Sequence, residues 1–95
     1  MATKAISKVL KKLHNKEVVI DTSTSFLYLG TLKNIEDNWL TLIEADAHDI
    51  NDSQCTKEKY IQDSLATGIK HNRKSCVIDL NKVTSISLLS EVKKF

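Results

Sequence analysis

Apolar positions change their spacing along this chain. Ile6, Val9, Leu10 and Leu13 fall at i, i+3, i+4 and i+7, one face of a helix. The spacing predicts a short amphipathic helix over residues 4–14, with Thr3 as its cap and Asn15 as its stop. A helix of this length is marginal by itself, so it must pack on something. Beyond it the pattern becomes that of strands. Lys16–Asp21 holds the β-branched run Val18, Val19 and Ile20, and the polar stretch Thr22–Ser25 turns the chain. Phe26–Ile35 is a longer strand carrying Leu27, Leu29 and Leu32 around Gly30, and a glycine inside a strand marks a bulge or a sharp bend. Such a bend lets a small sheet curl on itself. Glu36, Asp37 and Asn38 make the next turn. Trp39–Ala47 is the third strand, in which Leu40 and Leu42 alternate with Trp39, Thr41 and Ile43.

Residues 48–74 are the least regular part and read as a long variable loop. Within it Thr56–Leu65 has the pattern of a short helix, with Tyr60, Ile61 and Leu65 on one face and Gly68 as an end. Residues 75–89 supply two more strands, Cys76–Leu80 and Val83–Leu89, joined tightly through Asn81 and Lys82. Residues 90–95 form a charged tail that reads as loose. One helix, three strands, an excursion and two strands make a mainly β chain, and short strands with tight turns point to a barrel or a curled sheet.

Composition narrows this picture. The 95 residues make one domain. A chain of this size buries only roughly 60–68% of its unfolded surface, so one compact core is the ceiling. Aromatic residues are 5% of the chain, so the core must be aliphatic; there is no proline and there are two glycines. The net charge of +2 says little, but its distribution says more. Residues 1–16 carry Lys4, Lys8, Lys11, Lys12 and Lys16 and no acid, residues 44–52 carry Glu44, Asp46, Asp49 and Asp52 and no base, and Lys70-His71-Asn72-Arg73-Lys74 is a second basic cluster. Cys55 and Cys76 are too few for a disulfide framework and lack metal spacing, the usage of a cytoplasmic protein with reduced thiols. No stretch approaches the ~20 apolar residues of a membrane span, and the lysine-rich start has no apolar core of a signal peptide.

The segment Gly30-Thr-Leu-Lys-Asn-Ile-Glu-Asp-Asn-Trp-Leu-Thr-Leu resembles the first motif of the Sm-like proteins, in which a glycine in a bent strand precedes a leucine, an apolar residue, an acid and a hydrophobic run. Ile78-Asp-Leu-Asn-Lys-Val-Thr-Ser-Ile resembles the second, two short strands joined by a tight turn. The resemblance covers about residues 4–90. It implies a mainly β fold, an N-terminal helix followed by a strongly bent five-stranded antiparallel barrel of the SH3-like kind, rings of about five to seven copies in which strand four of one copy pairs with strand five of the next, and RNA bound near the pore or on a face.

Elementary physics supports the ring from another side. The last two strands are short, β-branched, free of proline and poor in charge apart from Asp79 and Lys82, so their edges lack the usual protection against pairing. Head-to-tail pairing that closes leaves no free edge. Cys76, Val77, Ile78, Val83, Ser85 and Ile86 are the candidate interface residues. The alternative is a monomer whose edge is covered by the long excursion.

The chain departs from the family where the family reads RNA. An Asp-x-x-Met-Asn run is usual in the first motif. In an ungapped register Glu36 takes the acid position, Trp39 the methionine and Leu40 the base-reading asparagine; shifted by one, Trp39 stacks and Thr41 reads the base. The alternation of Leu40 and Leu42 favours the shift. In the second motif Asp79 and Leu80 stand where Arg-Gly is usual, and Asp79 repels phosphate. Asn38, Trp39, Thr41 and Lys82 are therefore candidate RNA contacts, an exposed aromatic being able to stack on any base for ~1–3 kcal/mol. Lys70, His71, Arg73 and Lys74, repeated around a ring, would make a basic belt that holds phosphates in a salt-dependent way. Plainer readings stand beside these: Trp39 as packing, and the cations as solvated surface.

Glu44, Asp46, His48, Asp49 and Asp52 match no calcium loop or zinc motif, and no serine sits in a nucleophile elbow. No enzyme, cofactor, metal, membrane or small-molecule substrate is expected. Two functions remain: a ring that binds single-stranded RNA as a chaperone or scaffold, and a ring used for structure or protein interaction without RNA.

Overall fold

The computed structural model describes residues 4–93, with side chains from Lys8 onward. Helix α1 (Lys4–Leu13) leads into β1 (Glu17–Thr22), β2 (Phe26–Glu36) and β3 (Trp39–Asp49), then α2 (Lys57–Thr67), β4 (Arg73–Asp79) and β5 (Val83–Leu88). Short 3-10 turns lie at Ile50–Asp52, Leu80–Lys82 and Leu89–Glu91. The five strands form one antiparallel sheet in the order β4-β3-β2-β1-β5. The chain is mainly β, a helix followed by a bent five-stranded sheet. Thr3, the expected cap of α1, lies outside the described residues. Asn15 ends the helix in the left-handed region at φ 63°, and the end is pinned where the Asn15 amide donates to the Leu32 carbonyl (2.8 Å) and the Leu32 amide to that of Lys16 (3.0 Å).

The sheet buries both of its faces. Val18, Ile20, Leu32, Leu40, Leu42 and Ile78 form the main core, closed by Leu13 of α1. Val19, Leu27 and Leu29 point the other way and pack with Ile61 of α2 and with Leu89. This double burial explains why residues 18–20 are apolar without alternation: period-two geometry sends Val18 and Ile20 to one core and Val19 to the other.

The bend comes from three register shifts. Gly30 of β2 faces two residues of β3, Glu44 and Ala45, because Leu29 pairs with Asp46 and Thr31 with Ile43. Glu44 takes the left-handed conformation, φ 48°, at this bulge. A second shift leaves Lys33 unpaired on β2, and a third falls between β1 and β5 after Asp21. Gly30 serves close approach rather than unusual φ: a Cβ there would lie 3.1 Å from the Ala45 Cα, 3.2 Å from the Ala45 Cβ and 3.2 Å from the Ile43 carbonyl oxygen.

Two expectations are corrected. Residues 48–74 are only partly a loop: β3 continues through Asp49, α2 occupies 57–67, and β4 begins at Arg73. Nor is the tail loose where it is described, since Leu89 is buried and Val92 packs on the same cluster. The excursion is held by polar anchors that its sequence does not advertise. Thr56 caps α2 by accepting from the Lys59 amide, and Gly68 ends it at φ 94°. Lys57 Nζ donates to Asp21 Oδ1 (2.7 Å), the Thr22 carbonyl (3.2 Å) and the Thr24 carbonyl (3.0 Å), fastening the helix start to the β1–β2 turn. The buried Asp46 carboxylate accepts from the Tyr60 hydroxyl (2.5 Å) and from Asn72 Nδ2 (3.0 Å). His48 stacks on the Tyr60 ring at 3.9 Å between centroids.

Two expected outcomes follow from these contacts. Gly30→Ala should lower the unfolding free energy, because overpacking costs ~1–3 kcal/mol and outweighs the ~0.5–1 kcal/mol that alanine gains over glycine in a strand; an unchanged or higher urea midpoint would contradict the close approach. Burial, then the bond to Asp46 and the charge of that carboxylate, push the Tyr60 hydroxyl well above the ordinary tyrosine range. A raised folded-state value gives stability that is complete below the unfolded value of about 10 and is lost progressively above it. Melting temperature should therefore fall between pH 9 and 11 more steeply for the wild type than for Tyr60→Phe, and parallel curves would remove Tyr60 as the cause.

Candidate nucleic-acid interface

The β2–β3 connection is a two-residue turn, Asp37-Asn38, closed by the pairing of Glu36 with Trp39. Asp37 sits at φ 54°, a conformation aspartate tolerates better than most residues. The turn sets the phase of β3. Leu40 and Leu42 go into the core with no exposed surface, and Trp39 and Thr41 face outward. Leu40 is thus closed to any ligand, whereas Trp39 is 52% exposed. Strand β4 lies alongside, with Asp79 opposite Trp39 and Val77 opposite Thr41. Val77 is 60% exposed, so the outer face here carries an indole, a valine, a threonine hydroxyl and a carboxylate on adjacent strands.

Hydrogen bonds fix the last of these groups. Asp79 Oδ1 accepts from Asn38 Nδ2 (3.1 Å) and from the Asn81 amide (2.9 Å), and the Leu80 amide donates to the Asn38 carbonyl (2.9 Å). At the far side of the same 3-10 turn, the Ser23 amide donates to the Lys82 carbonyl (2.8 Å). Residues 79–82 are therefore tied at one end to the β2–β3 turn and at the other to the β1–β2 turn. Asn38, Trp39 and Thr41 come together with Asp79 in this region, and the exposed Lys82 lies at the other end of the 3-10 turn. The contact of Asn38 with Asp79 joins residues 41 positions apart; the only hint in the sequence is an aspartate standing where the family pattern has an arginine.

The second basic cluster is not part of this region. Lys70, His71, Arg73 and Lys74 are all exposed, and Arg73 and Lys74 belong to β4 itself rather than to the loop before it. Six strand steps separate Arg73 from Asp79, about 20 Å. His71 Nδ1 lies 3.4 Å from Glu44 Oε2, and Asn72 holds the chain down by accepting from the Ala47 amide and donating to the Ala47 carbonyl. Lys8, Lys11 and Lys12 are exposed along α1; the side chain of Lys4 lies outside the described residues.

The candidate interface residues occupy the two margins of the sheet. Strand β4 pairs only with β3, and β5 only with β1, among the described residues. The Ile78 side chain is buried in its own core, leaving only its backbone for pairing, while Val83 and Ile86 are half-buried and Ser85 is exposed. Beside β5 an open groove of about 500 Å³ runs between the strand and Val9, Lys12 and Leu13 of α1. Cys76 on β4 is half-buried, and that burial pushes its thiol up, partly opposed by the Arg73 guanidinium; a protonated thiol is a poor nucleophile. No group of metal-ligating side chains occurs among the described residues, and no helix there is long and apolar enough to cross a membrane.

These positions separate two roles that lie next to each other in sequence. Trp39→Ala should change unfolding free energy by no more than about 1 kcal/mol, whereas Leu40→Ala should cost about 2–5 kcal/mol. Equal losses in urea unfolding would show that the indole is packing rather than an exposed face.

No protein-family model matches the chain, and no curated protein matches its sequence. Solved structures do. An Sm protein of Pyrococcus abyssi, in complex with a uridine heptamer, is similar over 86% of this chain and 94% of its own, with a TM-score of 0.59 at 17% identity. An Sm-archaeal (LSm) protein from Methanococcus vannielii is similar over 93% of this chain and 100% of its own, at 0.57 and 18%. A heptameric archaeal Sm protein is similar over 85% and 96%, at 0.56 and 18%. With its helix, its five bent strands and its tied 79–82 turn, the chain has the Sm-like fold.

Proposed function

We propose that copies of this chain close into a ring of about five to seven subunits, β4 of one against β5 of the next, and that the ring binds single-stranded RNA as a chaperone or scaffold. The observation that carries the ring is the pair of strand edges, unpaired among the described residues, at opposite margins of one curled sheet. An exposed edge invites pairing, and a head-to-tail contact that closes removes every edge at once. Two structural neighbours give the reading its precedent, one heptameric and one holding a uridine heptamer.

RNA binding rests on Trp39, an exposed indole beside a turn, with Lys82 and, at and just before the start of β4, Lys70, Arg73 and Lys74 as cations and His71 beside them, all of which ring symmetry would repeat. Aromatic stacking supplies sequence-tolerant affinity, and repeated cations supply the salt-dependent part. The same residues describe a binding protein rather than an enzyme, and the free thiols of Cys55 and Cys76 suit the cytoplasm. A second reading, a ring for protein interaction without RNA, is favoured by Asp79, a negative group beside the indole.

Light scattering at micromolar protein should give a particle of about five to seven times the 10.7 kDa chain; a lone chain overturns the ring. Short RNA should quench the fluorescence of Trp39, the chain's single tryptophan. Affinity should fall linearly on a logarithmic salt scale, with a slope of about −0.7 per phosphate contacted. No quenching and no binding at low salt would leave the second reading.

A further inference from the structure

Asp79 changes what the face beside Trp39 can recognise. As direct partners across an antiparallel pair, Trp39 and Asp79 project on the same side of the sheet, with Cβ atoms about 4.5–5.5 Å apart. A base lying flat on the indole therefore has its edge within reach of the carboxylate. That carboxylate is fixed rather than free: Oδ1 takes the Asn38 side-chain amide and the Asn81 backbone amide. Among the described residues Oδ2 has no hydrogen-bond partner, so the carboxylate keeps one unused acceptor oxygen. A carboxylate of this kind only accepts.

The bases differ in what they offer to such a group. Uracil presents one N–H between two carbonyl oxygens, and both oxygens turn partial negative charge toward a carboxylate. Adenine and cytosine each present an exocyclic amino group, and guanine presents an amino group beside a ring N–H. A donor meeting an ionised acceptor forms the stronger class of hydrogen bond, and leaving the buried edge unpaired is costly. Thr41, on the same face, can donate or accept, so it adapts to each base without selecting among them. Val77, opposite Thr41, adds an apolar surface for the ring. Asp79 also repels phosphate, which favours the base edge at this point and leaves the backbone to the lysines.

We propose that the Trp39–Thr41–Asp79 face takes bases carrying an exocyclic amino group and discriminates against uracil. The proposal rests on the RNA-binding reading above and deepens it by naming the class of base. It assigns to this chain a preference unlike the uridine ligand that the Pyrococcus abyssi structure contains.

The test uses the full-length protein in its assembled form and hexamers of A, C and U at one salt concentration, followed by Trp39 fluorescence or calorimetry. Oligo-A and oligo-C should bind about tenfold tighter than oligo-U, the difference expected of one hydrogen bond to a charged group. Asp79→Asn keeps an oxygen for the Asn81 amide and adds a donor, so it should narrow the ratio by raising affinity for oligo-U. Equal or tighter binding of oligo-U by the wild type overturns this proposal and leaves RNA binding intact. An Asp79→Asn protein that assembles normally with an unchanged ratio overturns it as well. Should that variant fail to assemble, the wild-type ratio alone decides. No binding of any hexamer at low salt overturns the RNA reading itself, and this proposal with it.

Discussion

The close approach of Gly30 to Ala45 is the constraint on which the rest of the bent sheet depends. Strands β2 and β3 are both eleven residues long, too long to lie flat in so small a protein without exposing one face. At Gly30 the missing side chain lets β3 come within 3.1 Å of the place a Cβ would occupy, and the extra residue of β3 at Glu44 turns the strand. A bulge of this kind bends a strand and increases its twist. Once bent, β2 can serve two cores: Leu29 packs under α2, whereas Leu32 lies under α1.

Closure of the bend is then secured by polar contacts at its margins. The 79–82 turn is held to both neighbouring turns by backbone bonds, from Leu80 to Asn38 and from Ser23 to Lys82. The excursion between β3 and β4 is held by Lys57 at one end and by Asp46, Tyr60 and Asn72 at the other. A buried carboxylate is costly unless satisfied, and Asp46 is satisfied by two side chains from outside its strand. The helix α2 is thereby a fixed lid on the second core rather than a variable loop. Among the described residues, the outer edges of β4 and β5, the two elements that the proposed ring would join, pair with no further strand.

The exposed face around Trp39 is a consequence of strand phase. A two-residue turn places Leu40 inward, so the position that an ungapped comparison would make the base reader belongs to the core. Trp39 and Thr41 are left outside, and the ladder to β4 sets Asp79 against the indole. The chemistry available to a ligand is an aromatic plane with an acceptor beside it. The basic residues Lys70, Arg73 and Lys74 lie at or just before the other end of β4, Arg73 about 20 Å from Asp79, so the aromatic face and the basic cluster are separated along one strand.

Period and punctuation pointed to a helix over residues 4–14 and to five strands, and the fold has an N-terminal helix and five strands, because burial on one face imposes spacing that local sequence must obey. The run Val18-Val19-Ile20 was legible as a strand, and Gly30 as a bend. The resemblance of residues 30–42 and 78–86 to the Sm motifs pointed to the barrel that the solved structures share. The anchoring of the excursion was not legible. Asp46, Tyr60 and Asn72 are ordinary polar residues up to 26 positions apart, and nothing local in them announces a shared buried network. Nor was it legible that Asn38 holds Asp79, or that Arg73 and Lys74 fall inside β4, since strand ends are set by pairing with β3. Patterns repeated every two or four residues belong to the sequence itself; contacts between distant polar groups exist only once the backbone has closed, and in this chain those contacts define the candidate site.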